Sequence, residues 1–221
     1  MFLINPYILQ ASGNPLWNDL LAYYTADNTP NDALGNYNGT LVNGATYGTG
    51  IINQGFSLDG VNDYLSVSPT LGSSFSSPTS AHSYSAWVYK TTSGQKFIIQ
   101  NGNAGMGTCM IVTTGNNLGF TYQGVTSILS SSGFMTLNTW IHCVITYDGA
   151  GNVEFYKNGA SAGSGSISWT DGTGASNTYI GTYNGISNYF TGLLDEIGIW
   201  NRVLTPSEVT ELYNSGSGLQ Y

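Results

Sequence analysis

Short runs of alternating apolar and polar residues recur from Leu20 to the end of this chain. Examples are "HSYSAWVYK", "TWIHCVITYDG" and "NVEFYKNG". Successive side chains of a strand point to opposite faces, so each run predicts a strand with one buried side. Turn signals rich in Gly and Asn separate the runs by roughly 8–12 residues, a spacing typical of β-sandwiches. The sequence therefore predicts an all-β fold, a jelly-roll sandwich of two packed antiparallel sheets.

The chain is long enough for one well-buried domain and contains enough apolar residues to fold. It has 221 residues, 30 of them Gly, and 41% belong to the hydrophobic set. A disordered chain lacks the apolar area that offsets its conformational entropy. Residues 1–18, which contain several Asn and Pro residues, are predicted to form an N-terminal arm, and residues 19–221 the jelly-roll domain.

One helix is predicted near the end, in "LTPSEVTELYNSG". Thr205 is a good N-cap, Pro206 suits the first helical position, and Glu208 completes a capping box. Val209 begins an apolar stripe at helical spacing, and Gly216 offers a stop. The sandwich is therefore expected to carry one short C-terminal helix.

Charge excludes two classes of partner. The net charge is −8, with only four basic residues, Lys90, Lys96, Lys157 and Arg202. These are too few and too scattered to displace counterions from nucleic acid or to bind an anionic membrane surface. The apolar start of the chain has no cationic segment and is interrupted by Pro6, so neither a signal peptide nor membrane insertion is predicted. A surface of hydroxyls, amides and aromatic rings suits neutral polar ligands such as sugars, and equally many virion proteins.

The reactive side chains do not form a catalytic pattern. Cys109 and Cys143 lie in apolar runs and are interpreted as buried thiols, although a disulfide between them stays open. His142 alternates with apolar residues and is interpreted as a packing residue. Asp195 and Glu196 are adjacent, so they should point to opposite faces of a strand and cannot act as the paired acids of a glycosidase. The sequence predicts no enzyme.

Acidic residues in loops are candidates for a calcium site. "YTADNTPND" contains Asp27, and "LDGVND" contains Asp59. Parity with Ile197 and Ile199 predicts that Asp195 faces the core, where a carboxylate needs hydrogen bonds or a cation, and that Glu196 is solvated. These acids can equally cap turns and backbone N–H groups, so both interpretations stay open.

The same segments resemble a known family. They are "LLAYYTADNTPNDALGNYNGTLVNGATYGTGIINQGFSLDGVNDYLSV", "YSAWVY", "WIHCVITYDGAGNVEFYKNGASAGSG", "NTYIG" and "FTGLLDEIGIWNRVLTPSEVTELY". In this order they resemble the laminin-G-like branch of concanavalin A-like lectin/glucanase domains, which occurs in adhesins, enzymes and phage structural proteins. The resemblance implies a jelly roll packed by Trp87, Trp140 and Trp200. It also implies a structural Ca²⁺ near the rim, with Asp27, Asp59 and Asp195 as matching ligand positions.

Sugar recognition would use aromatic faces in loops, together with hydrogen bonds from amide and carboxylate groups that fix the sugar hydroxyls. The candidates are Trp169 in "SISWTDGTG", Tyr122 in "FTYQG", Tyr183 in "GTYNG" and Tyr189 in "SNYF". A loop aromatic can instead pack on its own hairpin, so each of these residues has two possible roles.

The function predicted from the sequence is a non-enzymatic carbohydrate-binding or adhesion module. Its partner would be a glycan or cell-surface polysaccharide, and its location a virion surface or another extracellular surface. In this hypothesis residues 1–18 attach the domain to other virion proteins or to sister copies. The alternative is a purely structural virion protein, such as a capsid decoration or tail-fibre component. A glycoside hydrolase is the least favoured reading.

Overall fold

A computed structural model describes residues 13–72, 79–102, 107–122, 126–168 and 177–221, with the side chain of residue 126 left out. This part of the chain forms fifteen strands and one α-helix. The strands are β1 Leu20–Tyr24, β2 Asn38–Val42, β3 Thr46–Thr49, β4 Gln54–Asp59, β5 Tyr64–Ser68, β6 His82–Lys90, β7 Lys96–Asn101, β8 Thr108–Val112, β9 Leu118–Tyr122, β10 Thr126–Leu129, β11 Trp140–Tyr147, β12 Asn152–Lys157, β13 Ala160–Ser166, β14 Thr178–Ile180 and β15 Thr191–Trp200. The helix, α1, is Pro206–Tyr213.

The strands form two antiparallel sheets. The eight-stranded sheet has the order β13-β12-β11-β6-β15-β4-β3, and β1 pairs with the second half of the long strand β15. The seven-stranded sheet has the order β10-β9-β8-β7-β14-β5-β2. Neighbours in space are often distant in sequence, as in jelly rolls. The predicted fold class, an all-β sandwich with one short C-terminal helix, is confirmed.

The main core lies between the two sheets. Alternate residues of the strands in both sheets point into this core, which explains the period-two pattern of the sequence. Phe56, Tyr84 and Val88 come from the eight-stranded sheet, and Ile98 and Phe120 from the seven-stranded sheet; all are buried. Cys143 belongs to this core, whereas Cys109 lies on the outer face of the seven-stranded sheet, and both are free thiols.

A second apolar cluster covers the outer face of the eight-stranded sheet. It joins Val144 and Tyr156 of the sheet to Val209 and Leu212 of α1, with Trp200 fully buried among them. Alongside it, the His142 ring lies 5.2 Å from Trp87 and 6.2 Å from Tyr213 between ring centroids. The outer face of the eight-stranded sheet is therefore buried and forms a second hydrophobic core.

The predicted helix is confirmed with its capping box. The Thr205 side chain accepts a hydrogen bond from the Glu208 backbone N–H, and the Glu208 carboxylate accepts one from the Thr205 backbone N–H. The helix ends at Asn214 in the left-handed conformation, and a 3-10 turn carries the chain on to Gly216. Asn takes this conformation at lower cost than most residues, so it ends the helix before the glycine does.

A short 3-10 helix, Pro15–Trp17, also packs on this covered face. The guanidinium of Arg202 donates to the backbone oxygens of Pro15 and Leu16 at 3.0 and 2.9 Å. The Trp200 indole N–H donates to the Leu16 oxygen at 2.8 Å, and the Trp17 ring stacks on Trp200 at 6.2 Å. Residues 15–17 of the sequence-defined arm are thus joined to the domain. No helix in the described residues is long and apolar enough to cross a membrane.

Candidate functional site

The outer face of the seven-stranded sheet carries a row of polar and aromatic side chains. Pairing between strands places Thr40 opposite Ser66, Ser66 opposite Tyr179, and Tyr179 opposite Gln100. Leu65 and Ile180, their neighbours along the strands, point into the core. Alternation therefore turns this row outward.

One loop, residues 181–190, lies over the middle of this face. Asn184 and Gly185 both have positive φ, and the Ile186 N–H donates to the Tyr183 oxygen at 3.0 Å, which makes a type I′ turn. The Gln100 side chain holds the turn from below. It donates to Asn184 Oδ1 at 2.6 Å and accepts from the Asn184 N–H at 2.6 Å.

Beside this loop, three partly exposed tyrosines form a cluster that we call the tyrosine patch: Tyr64, Tyr179 and Tyr189. The ring centroids of Tyr64 and Tyr179 are 5.7 Å apart, and those of Tyr64 and Tyr189 are 6.4 Å apart. The Tyr189 hydroxyl donates to the Gly185 oxygen at 2.7 Å, which orients its ring. Ile186, at the loop tip, is 71% exposed.

Two of the four predicted sugar-binding aromatics lie in or below this loop. Tyr189 belongs to the tyrosine patch. Tyr183 is partly buried against Phe97 at 5.0 Å between ring centroids, so it anchors the loop. Tyr122 does not lie on a loop as predicted: it is the last residue of β9, packs in the main core and is only 6% exposed. Trp169 lies outside the described residues.

The sequence analysis missed Tyr64 and Tyr179. Both stand in strands rather than loops. Tyr64 is the first residue of "YLSVS", and Tyr179 is the middle residue of "TYI". Their alternation with Leu65 and Ile180 was the available signal, because it turns them away from the core. What the sequence did not show is that β5 and β14 are neighbours.

Asp195 and Glu196 form a separate, buried site on the other sheet. Asp195 lies on the outer face, opposite Trp87, rather than on the core face predicted by parity. The reason is a bulge between residues 195 and 198, with Glu196 at φ 46°, which breaks the alternation with Ile197 and Ile199. Asp195 is nevertheless fully buried. It accepts hydrogen bonds from the N–H groups of Ile51 at 2.8 Å and Ile52 at 3.2 Å.

Glu196 is 3% exposed, so the prediction that it is solvated is wrong. The carboxylate is 2.6 Å from the Tyr23 hydroxyl and accepts from the Gln220 side chain at 3.1 Å. Burial, followed by the charge of Asp195, raises the pKa of Glu196 to about 9. Burial raises the pKa of Asp195 to about 7, against the lowering effect of its backbone donors.

Asp27 lies at the same corner. It accepts from the Gln54 N–H at 3.0 Å, the Asn53 side chain at 3.0 Å and the Gln220 side chain at 2.8 Å. Gln220 thus joins Asp27 to Glu196 with its two N–H groups. The last residues of the chain cover these acids, and N–H and O–H donors satisfy the carboxylates.

Asp59, the third predicted calcium ligand, lies elsewhere. Gln54 and Asp59 are the two ends of β4, about 16 Å apart at strand rise. Asp59 accepts from the Val61 N–H at 2.8 Å and shapes the turn before β5. The three candidates therefore do not converge, and within the described ranges no group of three or more His, Cys, Asp or Glu residues is placed to hold a metal ion. The donor set present does not fit the predicted calcium site.

The two histidines are buried in packing positions. His142 contacts Trp87 and Tyr213, and its Nε2 lies 2.9 Å from the Ser85 hydroxyl. Burial lowers the pKa of His142 to about 3 and that of His82 to about 4. Both imidazoles are therefore uncharged at neutral pH, and the interpretation of His142 as a packing residue agrees with its place in the fold.

The chain belongs to the concanavalin A-like lectin/glucanase superfamily. The Laminin_G_3 family model matches residues 59–210, which include most of both sheets and the start of α1. This confirms the resemblance seen in the sequence. No curated protein matches the chain.

Solved structures share the fold at low identity. Domain 4 of AbnA, a GH43 extracellular arabinanase from Geobacillus stearothermophilus, was determined in complex with arabinotriose; it is 24% identical, with a TM-score of 0.68 over 87% of this chain and 97% of that one. The binding domain of Paraclostridial Mosquitocidal Protein 1 is 22% identical, with a TM-score of 0.72 over 91% of this chain and 53% of that one. The receptor-binding domain of botulinum neurotoxin D is 18% identical, with a TM-score of 0.70 over 90% and 53%. The chain thus spans about half the length of the two toxin domains.

Proposed function

We propose that this protein is a non-enzymatic carbohydrate-binding module and that it holds its glycan on the tyrosine patch. The observation that carries the proposal is the cluster of Tyr64, Tyr179 and Tyr189 on an outer sheet face, beside the hydroxyls of Thr40 and Ser66. Aromatic faces pack on the apolar C–H surface of a sugar ring, while nearby polar groups bond its hydroxyls. The arabinotriose complex of a domain with the same fold supports this choice of ligand class.

The buried acids favour binding over hydrolysis. Glycosidases need two carboxyl groups that flank a sugar bond in one open cleft. Asp195 and Glu196 are instead almost fully buried on the opposite side of the sandwich, and the tyrosine patch includes no carboxylate. The module is therefore proposed to bind its glycan without cleaving it.

Binding measurements on three variants test the proposal. Tyr64→Ala and Tyr179→Ala should each lower the affinity for a glycan found on an array by about tenfold, which corresponds to about 1.4 kcal/mol. Tyr221→Ala is the matched control, because Tyr221 is 38% exposed but lies against Trp17 and Tyr23 on the covered face. Wild-type affinity in both patch variants, or an array without any hit, would refute the assignment.

Display at an outer surface, such as that of a virion, is the accompanying proposal, with residues 1–18 in contact with other virion proteins or sister copies. It is supported by the composition, in which charged residues make up only 7% of the chain. A purely structural virion protein remains the alternative, favoured if no glycan binds. Genes for capsid or tail proteins beside the coding sequence would support display.

A further inference from the structure

We infer that the tyrosine patch accepts neutral glycans and excludes glycans that carry carboxylate or sulfate groups. This inference rests on the proposed function and names its ligand class. It follows from the position of every basic side chain, because an anion that leaves water needs a cation or several strong donors in exchange. The sequence has four Lys and Arg residues in total, and all four lie in the described ranges.

Two of the basic residues are engaged away from the patch. Arg202 is held on the covered side of the eight-stranded sheet by Glu208 at 2.6 Å and by backbone oxygens of the 3-10 helix. Lys157 ends β12 in the same sheet, where its ammonium donates to the Gly133 oxygen at 3.3 Å and lies 5.7 Å from the centre of the Phe134 ring. Neither faces the seven-stranded sheet's outer surface.

The other two lie at one end of the sandwich. Lys90 has no exposed surface, and its ammonium donates to Asn116 Oδ1 at 3.1 Å. Lys96 begins β7, and the next two residues, Phe97 and Ile98, lie on the outer face and in the core respectively. Alternation therefore places the partly exposed Lys96 on the core-facing side of β7, opposite Val112. Burial, followed by the charge of Lys96, lowers the pKa of Lys90 in the opposite sheet.

Histidine does not supply the missing cation. His82 and His142 are the only two in the sequence. Both are buried, and burial holds the pKa of each well below neutrality, to about 4 and about 3. At neutral pH the tyrosine patch therefore has no positively charged side chain to pair with an acidic sugar.

The charge near the patch is negative instead. Asp59 and Asp63 bracket the turn that leads into Tyr64. Asp59 is exposed, and hydrogen bonds from backbone N–H groups, first that of Val61, keep its pKa below the usual value. Charges of like sign that face each other at an interface disfavour binding of the partner. Acidic glycans thus meet repulsion with no compensating pair.

What the patch does offer suits a neutral chain of sugars. The row from Thr40 through Ser66 to Tyr179 crosses three adjacent strands, so it extends about 10 Å at ordinary strand spacing. It combines the hydroxyls of Thr40 and Ser66 with the ring and phenolic hydroxyl of Tyr179, and Asn184 adds an amide at its edge. This composition matches hydroxyl-bearing sugars and contains no group that an ionised one requires.

A polysaccharide array that presents each neutral polymer beside its carboxylated form tests the inference. We expect wild-type protein to bind neutral members and to bind their carboxylated forms at least tenfold more weakly at low salt. Ser66→Lys places a cation within the row. It should reduce several-fold the ratio of the affinity for a neutral polymer to the affinity for its carboxylated form. Ser164→Lys, on the exposed edge strand β13, adds the same charge elsewhere and should leave the ratio unchanged.

The outcomes separate the two proposals. An array without any hit means that the proposed function fails. Hits whose carboxylated forms bind equally well or better leave the binding function standing and overturn the neutral-glycan inference. A ratio that Ser66→Lys and Ser164→Lys change to the same extent would attribute the selectivity to net charge rather than to the patch, and would also overturn it.

Discussion

The two outer faces of this sandwich are built from the same kind of strand but are used differently. The eight-stranded sheet is covered by α1, by the 3-10 helix at Pro15–Trp17 and by the last residues of the chain. The seven-stranded sheet carries the 181–190 loop over its middle and partly exposed tyrosines beside it. A covered face adds apolar burial to stability, whereas an exposed aromatic face adds little and can be used for a ligand. If the two faces divide stability and binding in this way, substitutions on them should have different effects.

The largest expected effect is on stability, from Trp200→Ala on the covered face. Trp200 is fully buried, stacks with Trp17 and donates to the Leu16 oxygen. Its truncation should lower the free energy of unfolding by about 3–5 kcal/mol, as for other large core aromatics. Tyr179→Ala, the counterpart on the exposed face, should cost about 1 kcal/mol or less. Urea unfolding of both variants gives the comparison, and equal losses would contradict the division.

A smaller effect is expected from pH at the buried acids of the covered face. The folded protein holds a proton on Glu196, with a pKa of about 9, that the unfolded chain releases above its ordinary pKa. This contribution to stability is complete below the unfolded pKa and is lost as pH rises through the folded one. Between pH 6.5 and 8 the free energy of unfolding should therefore fall by about 1 kcal/mol per unit.

The Glu196→Gln variant is the control for that pH profile. Glutamine preserves the shape and the contact with Tyr23 but does not titrate, so melting midpoints should change less with pH in the variant. The two histidines are uncharged in the folded protein but still titrate near pH 6.5 in the unfolded chain, where they act in the opposite direction. They contribute equally to both proteins and therefore cancel in the comparison. A profile as steep as that of the wild type would show that Glu196 does not hold the proton.

The smallest expected effect is that of a calcium chelator. The carboxylates of Asp27 and Asp195 already accept N–H donors, and Asp59 lies at the far end of β4. We therefore expect the same melting midpoint in EDTA and in millimolar Ca²⁺. A ligand that binds only the native state must raise its stability, so a midpoint that falls on chelation and returns with calcium would establish the metal predicted from the family resemblance.

The sequence predicted the strands and the helix because both depend on local patterns. Alternation identified β6, β11 and β12, and the Thr205–Glu208 capping box located α1. Alternation gave the wrong face for Asp195 and the wrong exposure for Glu196. There Glu196, in a left-handed conformation, changes which side chains of β15 point toward the core. Nothing in "LLDEIGIW" indicates this bulge, since it is set by pairing with β6 and β1.

The candidate site was less predictable than the fold. Tyr189 was found from its loop, but its partners Tyr64 and Tyr179 come from strands that meet only in the sandwich. Tyr122 was expected in a loop, yet it is the last residue of the core strand β9. Whether side chains from distant segments meet depends on the order of the strands in the sheet. Alternation along one strand gives no information about that order.

The contact between Trp17 and Tyr221 also shows where the tyrosine patch lies relative to the two ends of the described chain. Their rings lie 5.3 Å apart on the covered face, so the first described segment and the last residue leave the sandwich on one side. The tyrosine patch occupies the opposite side, across two sheets about 10 Å apart. An attachment made through either end would therefore leave the tyrosine patch, the proposed glycan-binding surface, turned toward the surroundings.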